Sequence, residues 1–140
     1  MNTSLTESCR DVFRAFKERA ESMDLDYMKR IFSGNLQAWE VRETEVETFG
    51  YAGAVEGWSQ AFEHFRGQDM EWVYTEENVI PTAEDKFVAV FWISLIIQGK
   101  RTTTAHLYCT TFEKEEEEWK IVREYIEADQ PNPLLEKEEA

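Results

Sequence analysis

Three residues in the last third of the chain, His106, Tyr108 and Glu124, offer the groups that acid/base chemistry uses: an imidazole, a phenol and a carboxylate. An imidazole among apolar neighbours serves as general base or as a hydrogen-bond partner for a ligand. A phenol such as Tyr108 or Tyr125 donates to a developing oxyanion, and a carboxylate in apolar surroundings becomes a stronger base. Each has a plainer and commoner role. The histidine can be half-buried and bonded to a neighbouring hydroxyl, the glutamate can pair with a cation across strands, and the tyrosines can simply pack. No glycine-rich phosphate loop, His-Glu-x-x-His or Gly-x-Ser-x-Gly is present, which sets aside kinases, zinc peptidases and α/β-hydrolases. No metal site and no cofactor is expected.

Those residues must be positioned by one domain, since 140 residues suffice for a single core and no internal boundary or repeat interrupts them. Twenty-nine acidic against fifteen basic residues give a net charge of −14, which repels phosphate backbones and anionic lipid. Neither nucleic acid nor membrane is therefore an expected partner. Cys9 and Cys109 are far apart and lack ligand spacing, so two buried thiols in a reducing cytoplasm are expected. The opening MNTSLTESCRD shows neither the basic nor the apolar region of a signal peptide, and its Asn2-Thr3-Ser4 sequon then carries no weight. The longest apolar run is too short for a membrane-spanning helix.

Ser4 with Glu7 reads as a capping box, followed by a stripe of Leu5, Cys9, Val12, Phe13, Phe16 and Ala20 on a long helix. Asp24 caps a short second helix that Gly34 is expected to end, and a short strand over 36–41 carries Trp39. Residues 42–56 are the least regular. A third helix carries Val55, Trp58, Ala61, Phe62 and Phe65 and closes at Gly67. Four strands follow, near 70–80, 86–98, 101–112 and 119–128, with the acidic run Glu113–Glu118 as a hairpin tip. The folded domain is expected over 1–130, with 131–140 a flexible acidic tail.

The run Lys86–Ile97, KFVAVFWISLII, is apolar on both faces and needs cover on both. Helices would cover one and a second copy of the chain the other. A two-residue turn at Gly99-Lys100 would set Ile93 opposite His106 and Phe91 opposite Tyr108, giving one face apolar walls with polar groups among them. Phe91, Ile93, Trp39, Trp58 and Tyr51 are the expected ligand-binding residues. The loop before Trp119 decides the place of Glu124: three or five residues put it on the face of Tyr108, and four turn it away.

The element order, the Gly57-Trp58…Phe65 helix, the turn at Gly99 and the closing WKIVREYIEA resemble the nuclear transport factor 2-like superfamily, most of all its SnoaL-like members. The resemblance spans Leu5 to Ala128. It implies an α+β fold, a cone-shaped cystatin-like barrel with three N-terminal helices packed on a curved, mostly antiparallel sheet, dimeric through the convex face. Its members include ketosteroid isomerases, polyketide cyclases, limonene epoxide hydrolases, scytalone dehydratase and non-catalytic binding or assembly domains. Glu124 after Arg123 stands where the epoxide hydrolases have an aspartate, but the Arg-x-Asp pair they carry on the strand matching Lys86–Ile97 is missing. Isomerase chemistry would need Glu124 as base, and His106, Tyr108 and Glu124 form a loose analogue of the dehydratase set. The implied function is binding of a small hydrophobic molecule, with cofactor-free isomerase, cyclase or dehydratase chemistry by His106, Glu124 and Tyr108. The alternative is a non-catalytic ligand-binding or assembly module.

Overall fold

The computed structural model describes residues 2–135, with side chains from Leu5 onward; Ser4 and its capping box, and residues 136–140 of the expected tail, lie outside the described residues. Helices α1 (Asn2–Glu21) and α2 (Leu25–Ile31) lead into strands β1 (Phe32–Arg42) and β2 (Glu45–Phe49), and α3 (Tyr51–Phe65) follows. Strands β3 (Met70–Ala83), β4 (Lys86–Ile97), β5 (Lys100–Arg101), β6 (Thr104–Glu115) and β7 (Glu118–Pro131) complete the fold. No helix among the described residues is long and apolar enough to cross a membrane.

The apolar stripe of α1 lies against the sheet with Cys9, Phe13, Phe16 and Ala20 all buried. Asp24 caps α2 by accepting from the Tyr27 N–H at 3.0 Å. Gly34 does not end that helix: Phe32 turns directly into extended backbone, and β1 begins there. The strand is thus longer than its sequence pattern suggests, because Phe32 and Ser33 are buried as a continuation of the sheet.

The sheet runs β2-β1-β7-β6-β4-β3, with β5 paired to the end of β4. All pairs are antiparallel except β1 with β7, so the last long strand is inserted between the first long strand and the meander. Strands β2 and β3 are edges, and the curved sheet is not closed into a barrel. Pro81 is tolerated in β3 because that strand pairs on one side only.

The register of β4 with β6 is the expected one, reached by unexpected means, whereas the β6–β7 hairpin has a shorter turn than any of those expected. The β4–β5 turn is Gln98-Gly99, both at positive φ (52° and 78°), and it pairs Ile97 with Lys100. Two residues outside the regular ladder, Thr102 and Thr103, then restore the pairing of Ile93 with His106 and Phe91 with Tyr108. The β6–β7 turn is Glu116-Glu117, again both at positive φ. A two-residue turn alone would send Glu124 to the convex face. Val122 is instead bulged between the pairs Thr111–Arg123 and Phe112–Ile121, and this one extra residue turns Glu124 back to the concave side.

Strand β7 continues beyond the boundary expected at residue 130. Asn132 is buried, receives support from the Thr102 and Thr103 carbonyls and so belongs to the packed chain. Of the two thiols, Cys9 is buried but Cys109 is exposed, because it points outward from the convex face.

Candidate functional site

Between α3 and the concave face of the sheet lies a cavity of about 550 Å³. The helix keeps it hollow by presenting small residues, Gly53, Ala54, Gly57 and Ala61, toward the sheet between Trp58 and Phe65. Gly53 is required for close approach, since a Cβ there would stand 2.9 Å from the Phe49 Cβ. Trp58 and Trp72 meet with ring centroids 5.6 Å apart, and Phe65 meets Trp72 at 5.5 Å, so one wall is aromatic. The Trp72 Nε1–H on that wall is buried without a hydrogen-bond partner.

The buried floor comes from Ile93, Ser94, Tyr108, Glu124 and Ile126. Glu124 faces Thr110 across β6 and β7, not Tyr108, which faces Ile126. Tyr108 and Thr110 alternate on one strand and so share the concave face with Glu124. The Thr110 hydroxyl donates to Glu124 Oε2 at 3.1 Å. Burial pushes the Glu124 carboxyl up to about 7; the Thr110 bond opposes the rise and the nearby Glu40 carboxylate adds to it. A carboxyl poised near neutral pH can accept a proton as a base and return it as an acid. The Tyr108 hydroxyl is held well above the ordinary phenol range by burial, then by the charges of Glu124 and Glu40, so it stays protonated as a donor.

His106 also borders the cavity, but its Nδ1 accepts the Asp129 backbone N–H at 3.1 Å. That bond sits where β7 carries a second bulge, Ala128-Asp129 opposite His106, with Asp129 at φ 55°. The imidazole therefore pins a bulge through one nitrogen and offers the cavity only Nε2, which carries the proton in the neutral ring. The expected base is thus tied into the backbone, and Glu124 is the freer proton acceptor.

His106, Tyr108, Glu124, Ile93 and Trp58 are brought together at this cavity. Three other expected ligand contacts are not. Phe91 lies fully buried beneath the floor, stacked between Tyr74 and Tyr108 with centroids 5.9 and 5.2 Å apart. Trp39 pairs with Tyr125, out of phase with the concave residues Ala38 and Glu40, and so belongs to the convex face. Tyr51 donates its hydroxyl to the Lys29 carbonyl at 2.9 Å and joins α3 to α2.

The sequence pattern missed Glu40, Glu47, Trp72 and Asp129 at the cavity. Glu40 follows Leu36 and Ala38 at period two, which could have placed it inward had β1 been read at full length. Asp129 is turned by its positive φ, which no pattern in the strand announces. Among the described residues no group of His, Cys, Asp and Glu has the arrangement of a metal site.

No family model and no curated protein matches this chain. Solved structures do. An NTF2-like protein of unknown function from Pseudomonas putida KT2440 superposes with a TM-score of 0.67 at 10% identity, covering 89% of this chain and 87% of that one. A ketosteroid isomerase-like protein from Erwinia carotovora atroseptica gives 0.65 at 13% identity, covering 90% and 97%. A putative calcium/calmodulin-dependent protein kinase type II association domain from Thiobacillus denitrificans gives 0.62 at 19% identity, covering 89% and 94%. The fold is the nuclear transport factor 2-like, or cystatin-like, fold. At these identities the likeness reaches the fold and stops short of the SnoaL-like subgroup and of any activity.

Proposed function

We propose that this chain binds a small, largely hydrophobic molecule in the cavity beneath α3 and moves a proton on it, with Glu124 as the base. The observation that carries this is a carboxyl on a side chain only 2% exposed, bordering an aromatic-walled cavity and held near neutrality by its burial. Such a group is costly to bury for packing alone and is suited to proton transfer. Tyr108 would donate to an oxygen on which charge develops, and His106 would offer its Nε2–H from a fixed ring. This is cofactor-free isomerase, cyclase or dehydratase chemistry of the SnoaL-like type.

The test uses tetralone in deuterated buffer, following loss of the proton next to the carbonyl by NMR. Exchange should increase as pH rises through about 7, where Glu124 becomes ionised. It should vanish in Glu124→Gln while tetralone still binds. Exchange that survives in Glu124→Gln overturns the role of Glu124. Binding without exchange in the unaltered protein leaves the non-catalytic ligand-binding module, the reading favoured by the His106 bond to the backbone.

The partner and compartment follow as proposals too. The convex face carries Trp92, Trp39 and Leu107 only partly covered, with Tyr125 at 44% exposure, and a second copy of the chain would cover them. Analytical ultracentrifugation should show a dimer that Tyr125→Lys dissociates. Two free thiols, one of them exposed, fit a reducing cytoplasm.

A further inference from the structure

We infer that the ligand is an organic cation, a hydrophobic body bearing an amine or similar charged nitrogen, with its charge among the carboxylates of the cavity. This rests on the cavity being a ligand site and goes beyond it in naming the class of molecule. Four carboxylates border the hollow, Glu40, Glu47, Glu124 and Asp129, and neither Lys nor Arg is among the lining residues. Arg42, just outside, bridges Glu40 at 3.0 Å and Asp129, so one guanidinium answers two of the four.

The placement of Glu47 is the least expected part. It stands directly opposite Glu40 on the β1–β2 ladder, where like charges cost stability, and it has no partner among the described residues. A cation in the cavity would relieve that repulsion. The buried polar groups of the floor ask for the same occupant. Tyr108 is 7% exposed, and its hydroxyl has no hydrogen-bond partner among the described residues. Glu124 has one oxygen bonded to Thr110 and the other without a donor. An ammonium is all donor, and the phenol oxygen and the free carboxylate oxygen are acceptors within one hollow. The rings of Trp58 and Trp72 add faces on which a cation is attracted.

An isosteric series tests the inference: naphthylmethylamine, naphthylmethanol and naphthoate, titrated calorimetrically at pH 8 and moderate salt. The amine should bind about tenfold more tightly than the alcohol, with the carboxylate weakest. Glu47→Lys, on an exposed edge strand, should erase the preference for the amine over the alcohol. Equal binding of amine and alcohol, or tightest binding of the carboxylate, would overturn the cationic ligand and leave the cavity reading standing. An amine preference that persists in Glu47→Lys would overturn it as well, by showing attraction to the acidic surface at large. If none of the three binds, the ligand site itself falls, and this inference with it.

Discussion

Strands β4 and β6 each serve two regions that could hardly differ more, although the same concave face runs through both. At one end Phe91 and Phe112 meet the rings of Phe13 and Phe16 from α1, with Phe87 stacked on Phe112, and Phe13 and Phe91 lie with centroids 5.0 Å apart. At the other end Ile93, Tyr108 and His106 face α3, whose glycines and alanines leave the space empty. The sheet is common; the helix opposite decides whether it becomes core or cavity. Rings on α1 fill their end to close packing, and small residues on α3 keep theirs open.

The sharpest way to break this contrast is to truncate one ring on each side. Phe91→Ala should cost about 4 kcal/mol by urea denaturation, because the ring is fully buried between neighbours that cannot collapse onto the gap. Trp58→Ala, on the half-covered side, should cost no more than about 2 kcal/mol yet remove ligand binding. Comparable losses at the two positions would mean that the cavity end is packed as core.

Next in size is the pH dependence of Glu124. Its carboxyl is raised from 4.5 to about 7, so the folded chain keeps a proton that the unfolded chain gives up between those values. Stability from this group is therefore greatest at low pH and falls as pH rises from 4.5 toward 7, by about 3 kcal/mol in all, then levels off. Glu124→Gln should abolish that slope, leaving the variant more stable than the parent at pH 8 and equal to it at pH 4. Urea midpoints across pH measure it, and an unchanged slope would show that Glu124 is not the buried proton acceptor.

Smaller effects probe the backbone devices that aim the cavity residues. His106→Ala leaves the Asp129 N–H without its acceptor and should cost about 1 kcal/mol. Hydrogen exchange at the Asp129 amide would show whether the bulge loosens first. The replacement of Glu116-Glu117 by Asn-Gly should instead stabilise the protein by about 1 kcal/mol, since both glutamates sit at positive φ. Thermal midpoints decide that case, and ligand affinity should stay unchanged because the turn lies away from the cavity.

Much of the core end could be read from the chain. The helical spacing of Phe13 and Phe16, and the alternation of Phe87, Ala89 and Phe91, name the packed residues because burial and periodicity are the same physical fact. The cavity end was legible only in part. His106, Tyr108 and Glu124 do share a face, yet what puts Glu124 there is the unpaired Val122, and what occupies His106 is a second bulge at Ala128-Asp129. A bulge adds one residue to one strand and leaves no periodic trace, so parity beyond it cannot be counted from sequence. Trp39 and Tyr51 were misplaced for a related reason: aromatic type marks burial of some kind, and the partner element alone tells which.

The position of β7 between β1 and β6 has a consequence for how the chain is made. The two halves of the sheet share no other long strand, so β1 and β2 cannot join the rest of it until synthesis has passed Glu127. During translation β1 and β6 both wait with open edges, and the arrival of β7 joins residues nearly ninety positions apart. Such late, long-range pairing is slow and exposes the nascent chain to wrong partners, which makes the final strand the step where a chaperone would matter most.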